Sequence, residues 1–150
     1  MTLTLTSSAF TDGGLIPAKF TCEGENLSPE LRWSDAPANT RSFALIMDDP
    51  DAPVGTFTHW VLFDIPADRA SLAEGENEIG VAGKNDFGRA GYGGPCPPRG
   101  HGPHRYYITL YALDVASLKL KAGVDRRPVE TALRGHVLAK AHYLGRYERK

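Results

Sequence analysis

Several of the features that mark common functional classes are missing from this sequence, and each shortage excludes something. Acids and bases nearly cancel, with 18 Asp and Glu against 17 Lys and Arg for a formal charge of −1, and the bases are scattered. No basic face can follow a phosphate backbone, so no nucleic-acid partner is expected, and the cluster from Arg146 to Lys150 reads as a solvated tail. No apolar run reaches the ~18 residues of a membrane-spanning helix. The opening MTLTLTSSAF also lacks the basic and apolar regions of an export signal. No membrane span is expected, and the default location is cytoplasmic.

Cysteine is scarce. Cys22 and Cys96 are the only two, they have no C-x-x-C spacing, and they are too few for the usual zinc ligand set, so a disulfide and two free thiols both stay open. No H-E-x-x-H occurs, and Pro103 restricts the pair His101-x-x-His104, so neither a metal nor another cofactor is expected. G-x-S-x-G is absent and Cys96 is followed by two prolines without a positioned base, which makes a hydrolase the weakest reading; the chain is expected not to be an enzyme. Internal repeats and an alternating βαβ pattern are missing too, which disfavours solenoids and parallel sheets.

What is present is an ordinary globular composition, 41% hydrophobic and 23% charged over 150 residues, enough for one core and a single domain spanning 1–150. Period-two patterns dominate it. Thr2 to Thr6 alternates Thr and Leu, Lys19 to Cys22 reads as a short strand, and Glu30 to Trp33 resumes the alternation. Ser42 to Met47 is apolar on both parities, as a central strand covered on both faces should be. His59 to Ile65 puts His59, Val61, Phe63 and Ile65 on one face. His104 to Leu113 is β-branched and aromatic, and Tyr143 to Tyr147 closes the chain as a last strand. Helical period is found from Arg126 to Lys140, with apolar residues three and four apart, Asp125 at the cap and Pro128 in the first turn. His136 falls inside this predicted helix.

Two stretches stand apart. Asp48-Asp49-Pro50-Asp51-Ala52-Pro53 gathers three carboxylates at the end of a strand that its prolines stop. Between Gly88 and His104, ten of seventeen residues are Gly or Pro, which makes a long rigid loop leading straight into a strand. Strand ends then bring Asp49, Asp51, His59, His104 and Tyr106 to one end of a sheet beneath that loop. Backbone N–H groups of Gly91, Gly93 and Gly94 would line a concavity for anionic oxygens, and imidazoles would add donors. An acid beside each imidazole would fix its tautomer and raise its pKa, so anion affinity should fall as pH rises. Replacing His104 by Ala should cost binding more than stability.

Asp49-Pro50-Asp51-Ala52-Pro53, then His59-Trp60, then Gly91-Tyr92-Gly93-Gly94-Pro95-Cys96-Pro97-Pro98 and Gly100 through His104-Arg105-Tyr106 follow in an order and spacing that resemble the phosphatidylethanolamine-binding protein family, in particular its bacterial Raf kinase inhibitor-like branch. Phe20 to Pro29 and Leu144 to Tyr147 extend the resemblance over nearly the whole chain. It implies a mainly β fold, a β-sandwich of two antiparallel sheets with one C-terminal helix and short helical turns. It also implies a pocket for a small anionic ligand (phosphate, phospho-headgroup or carboxylate) formed by Asp49, Asp51, His59, Pro97, Pro98, His104 and Tyr106, flanked by Tyr92, with no catalytic residue. Further implications are a cis peptide at Ala52–Pro53, proximity of Cys22 and Cys96 at the pocket end, and a homodimer. Relative to the eukaryotic members their longer C-terminal extension is lacking, so kinase inhibition does not carry over. The alternative reading is an inhibitor whose protein partner, a protease or kinase, docks on a surface away from the pocket.

Overall fold

The strand Ser42–Asp49 is the spine of the computed structural model, which describes residues 2–150. In chain order the elements are β1 (Thr4–Thr6), β2 (Gly14–Leu15), a 3-10 turn (Ala18–Phe20), β3 (Leu31–Ser34), β4 (Ser42–Asp49), β5 (Phe57–Pro66), β6 (Ser71–Leu72), β7 (Val81–Ala82), β8 (His104–Leu113), α1 (Arg126–Leu133) and β9 (Val137–Tyr147). They form a three-stranded sheet, β1-β3-β6, and a six-stranded sheet, β2-β9-β8-β4-β5-β7. β4 is inside the larger sheet, and its two parities serve two cores. Phe43, Leu45 and Met47 pack toward the small sheet with Trp33, Leu62 and Ile108, while Ala44 and Ile46 pack with Val61, Phe63 and α1. This is why its sequence is apolar on both faces. α1 seals the second core with Val129 and Leu133, each burial contributing about 1.5 to 3 kcal/mol. No helix among the described residues is long and apolar enough to cross a membrane.

The mainly β fold with two packed sheets and one late helix is as expected, but several details are not. Pairing is antiparallel except between β2 and β9, where Gly14 and Leu15 run parallel to Gly145 and Arg146. That approach depends on glycine, because a Cβ at Gly145 would come within 2.5 Å of Ile16 Cγ1. Lys19 to Cys22 is not a strand: Ala18–Phe20 is a 3-10 turn in which the Thr21 N–H and hydroxyl both bond to the Ala18 carbonyl.

The helix predicted over Arg126 to Lys140 ends at Leu133. Gly135 takes φ +80, and from Val137 onward the chain is extended for eleven residues as β9, so His136 sits in the turn between the two. Residues 137–141, Val-Leu-Ala-Lys-Ala, fit either period, and pairing with β8 decides for strand. Asp125 occupies the N-cap without a side-chain capping bond.

The peptide bond at Ala52–Pro53 is trans, and no cis bond occurs among the described residues. The Gly55 N–H bonds to the Ala52 carbonyl at 3.0 Å, which puts Pro53 at the second position of a four-residue turn. Proline there works with a trans bond, whereas cis proline belongs one position later.

Candidate functional site

The ends of three strands meet because β4 is antiparallel to both neighbours: its C-terminal Asp48 pairs with Tyr107 of β8 and with Thr58 of β5. The pairing of β4 with β5 slips between Met47 and Asp48, so that Met47 faces Trp60, Asp48 faces Thr58, and His59 between them is a bulge. A bulged residue is turned out of strict alternation. His59 therefore lies on the inner side against Tyr106, ring centroids 5.2 Å apart, and not on the face of Val61 and Phe63. A second slip, between Phe43 and Leu45, returns Ile65 to the inner core, so the single face expected for His59, Val61, Phe63 and Ile65 is split.

These side chains surround a cavity of about 230 Å³. Asp49, His59, His104 and Tyr106 are its polar lining, all of them at most 3% exposed. Apolar groups form the rest, chiefly Pro97 and Pro98 on one side and Phe57, Phe87, Ala52 and Pro53 on the others. Val54 stands at the mouth 91% exposed, with Phe87 41% exposed. Phe57, Phe87 and His59 interlock at centroid separations of 4.8 to 5.4 Å, Phe87 edge-on to the other two and Phe57 tilted against His59.

The two imidazoles are held differently. His104 Nδ1 donates to Asp49 Oδ2 at 2.6 Å, a pair sealed from solvent, while Asp49 Oδ1 takes the Asp51 N–H at 2.7 Å. His59 Nδ1 donates to the Gly93 carbonyl at 2.7 Å, with no acid bonded to it. Burial dominates there and pushes the His59 pKa below its ordinary value, so the expected acid-raised imidazole is not found at this position. Tyr106 has its hydroxyl buried with no partner of hydrogen-bond geometry among the described residues; burial first, and the neighbouring Asp49 carboxylate after it, push its pKa well up and keep the proton on.

The loop does not supply the anticipated backbone donors. Gly91 N–H goes to the Gly83 carbonyl, Gly93 N–H to the His59 carbonyl and Gly94 N–H to Asn26 Oδ1, at 3.1, 2.9 and 2.9 Å. Gly93 and Gly94 serve close packing instead, since a Cβ on Gly94 would meet the Phe20 carbonyl oxygen at 2.2 Å, while Gly91 has open space around it and takes a φ of +97. Asp51 also lies outside the cavity. It clamps Arg105 through both oxygens, at 2.8 and 2.9 Å, and the guanidinium's hydrogen bonds hold its carboxyl down to about 2. Tyr92 is behind the loop, donating to the Phe20 carbonyl at 2.7 Å and standing edge-on to Trp60. Cys22 and Cys96 are bonded as a disulfide, and Cys96 belongs to the cavity wall.

Residues 6–148 match the profile of the phosphatidylethanolamine-binding proteins. The chain belongs to that family. It is 52% identical over 148 residues to an Aquifex aeolicus protein, covering 95% of this chain and 86% of that one. A Methanothermobacter thermautotrophicus relative is 47% identical over 153 residues, covering 98% of this chain and 99% of that one. Both carry the designation UPF0098. Among solved structures, a putative phosphatidylethanolamine-binding protein homologue from Chlamydia trachomatis superposes with a TM-score of 0.93 at 40% identity, covering 99% of each chain. Escherichia coli YbcL, described as a member of the mammalian PEBP family, also gives 0.93, at 33% identity and full coverage of both chains.

Asp49, His59, His104, Tyr106 and the Pro97–Pro98 wall lie where the sequence places them, whereas the aromatic wall of Phe57 and Phe87 is not among the residues expected there. Phe57 gave a faint signal, an aromatic two residues before His59 at a strand entrance, and Phe87 another, a large apolar side chain opening a Gly-rich loop. In the sequence His101 stands out only through its spacing from His104 in His101-x-x-His104. Its Nδ1 in fact lies 2.6 Å from His104 Nε2. Among the described residues no three His, Cys, Asp or Glu side chains are grouped closely enough to hold a metal ion.

Proposed function

We propose that the cavity binds a small anion, a phosphate, a phospho-headgroup or a carboxylate, and that the protein acts as a binding module of the phosphatidylethanolamine-binding protein family. The observation that carries this reading is the Tyr106 hydroxyl, a protonated donor buried at the cavity floor with no partner among the described residues. Leaving a buried hydroxyl unpaired costs about 1 to 3 kcal/mol, a cost that an anionic oxygen within reach removes. His59 supplies the second donor. Its Nδ1 is committed to Gly93, so a proton taken up on entry of the anion goes to Nε2 and completes an imidazolium beside the ligand. The apolar walls keep water away and strengthen both interactions.

Size limits the ligand. At about 230 Å³ the cavity is smaller than the ~300 to 1,000 Å³ of sites that enclose drug-sized molecules, which suits a headgroup and excludes an acyl chain. Diffraction from crystals soaked in inorganic phosphate or phosphoethanolamine tests the reading. Density within hydrogen-bond distance of Tyr106 Oη is the expected result, and a cavity filled with water alone in both soaks overturns it.

A further inference from the structure

The buried Asp49–His104 pair does not end at the cavity. His101, on the exposed turn Gly100-His101-Gly102, brings its Nδ1 to 2.6 Å from His104 Nε2, with the rings 4.8 Å apart and inclined at 65°. Proton positions follow from the partners. His104 Nδ1 gives its hydrogen to Asp49, so in the neutral ring Nε2 holds a lone pair, and the bond between the imidazoles is donated by His101 Nδ1. His101 must then carry its own lone pair on Nε2, for which no hydrogen-bond partner is found among the described residues. A carboxylate that orients an imidazole, which in turn takes a proton from an accessible third group, is the arrangement that activates a nucleophile.

We propose that His101 is a phosphoryl-accepting histidine, a modification site activated by His104 and Asp49. In the reaction with a phosphoramidate zwitterion, the lone pair of His101 Nε2 forms the new N–P bond and the donor's own P–N bond breaks, its electron pair leaving with ammonia. As the ring becomes cationic, its Nδ1 proton passes to His104 Nε2, and Asp49 stabilises the imidazolium formed there. Positive charge carried on the same turn favours phosphoryl as the group transferred. Arg99 is two residues away, and Arg149 is tied to the same turn by its carbonyl, which accepts the Gly100 N–H at 2.9 Å, and by its Nε, which donates to the Pro97 carbonyl at 2.7 Å. The proposal shares Asp49 and His104 with the cavity, but the modified residue itself, His101, is not among the residues lining it, so labelling of His101 is read independently of anion binding.

The experiment treats the full-length protein with potassium phosphoramidate and follows each histidine by mass spectrometry, with alkaline handling to preserve the N–P bond. His136, paired with Asp114, and His142, paired with Thr109, are internal references that share the same sample and are also reachable from solvent. Labelling of His101 about tenfold or more faster than both is expected; equal rates overturn the proposal whatever any variant does. His104→Gln should bring His101 down to the rate of the references, and an unchanged rate in the folded variant likewise overturns it. Should His104→Gln fail to fold, Asp49→Asn, which keeps the shape of the carboxylate, gives the same readout.

Discussion

His104 Nδ1 lies 2.6 Å from Asp49 Oδ2, with both side chains almost wholly out of solvent. A buried, bonded pair of this kind gains little over apolar packing, but breaking it by removing one member strands the other. Asp49→Ala and His104→Ala should each destabilise the fold by about 3 to 5 kcal/mol, measured by urea unfolding at pH 7. This reverses the expectation from the sequence that His104 matters more to binding than to stability. A loss below about 1 kcal/mol in both variants would show the pair to be structurally idle.

His59 should make the protein acid-sensitive. Its folded-state pKa is lowered by burial, so below the ordinary value of 6.5 the unfolded chain binds a proton that the native protein refuses. Stability should therefore fall as pH drops through 6.5 toward the folded pKa. His59→Asn, whose amide can still donate to the Gly93 carbonyl, should flatten that limb. Sulfate keeps its charge over this range, so its affinity should rise over the same interval in the wild type and stay level in the variant. A wild-type unfolding curve that does not change between pH 7 and pH 5 contradicts this account of His59.

Reduction should loosen the cavity wall. The Cys22–Cys96 bridge closes a loop with a sequence separation of 74, worth about 4 kcal/mol in the chain-entropy model. For a chain of this size that corresponds to a fall of roughly 10 °C in Tm. Scanning calorimetry with and without dithiothreitol measures it, and an unshifted transition in protein shown to be fully reduced refutes it.

Gly94→Ala should be costly although alanine is small. Its Cβ would collide with the backbone carbonyl of Phe20, which cannot rotate aside, and a loss of about 1 to 3 kcal/mol is expected from the resulting shift. Gly88→Ala meets no atom within 4 Å and should cost about 1 kcal/mol through its φ of +88 alone. Chemical denaturation of the two variants compares them, and equal losses contradict the packing role given to Gly94.

Much of this was legible in the chain because the relevant physics is local. The two-faced apolarity of Ser42 to Met47, the aromatic strand from His104 and the density of Gly and Pro after Gly88 each fix their own conformation. The rest depends on pairing. No residue near His59 announces that a slip opposite Met47 will turn it to the other face, and nothing in Val137 to Ala141 chooses strand over helix until β8 is alongside. The Gly91, Gly93 and Gly94 N–H groups look free in the sequence because their acceptors, Gly83, His59 and Asn26, lie elsewhere in the chain. Asp51 misleads for a similar reason, since its partner Arg105 adjoins the site without entering it.

Tyr106→Phe isolates the central claim, because it deletes one oxygen atom that has no partner among the described residues. Titration calorimetry with inorganic phosphate at pH 5.5, wild type beside variant, is the measurement. One anion per chain should bind to the wild type, and the variant should lose about ten- to a hundredfold in affinity while remaining at least as stable, since a charge-assisted hydrogen bond is removed from the complex and an unpaired hydroxyl from the free protein. Equal affinity in the two proteins, or no binding to the wild type, would contradict the assignment of this cavity as an anion site.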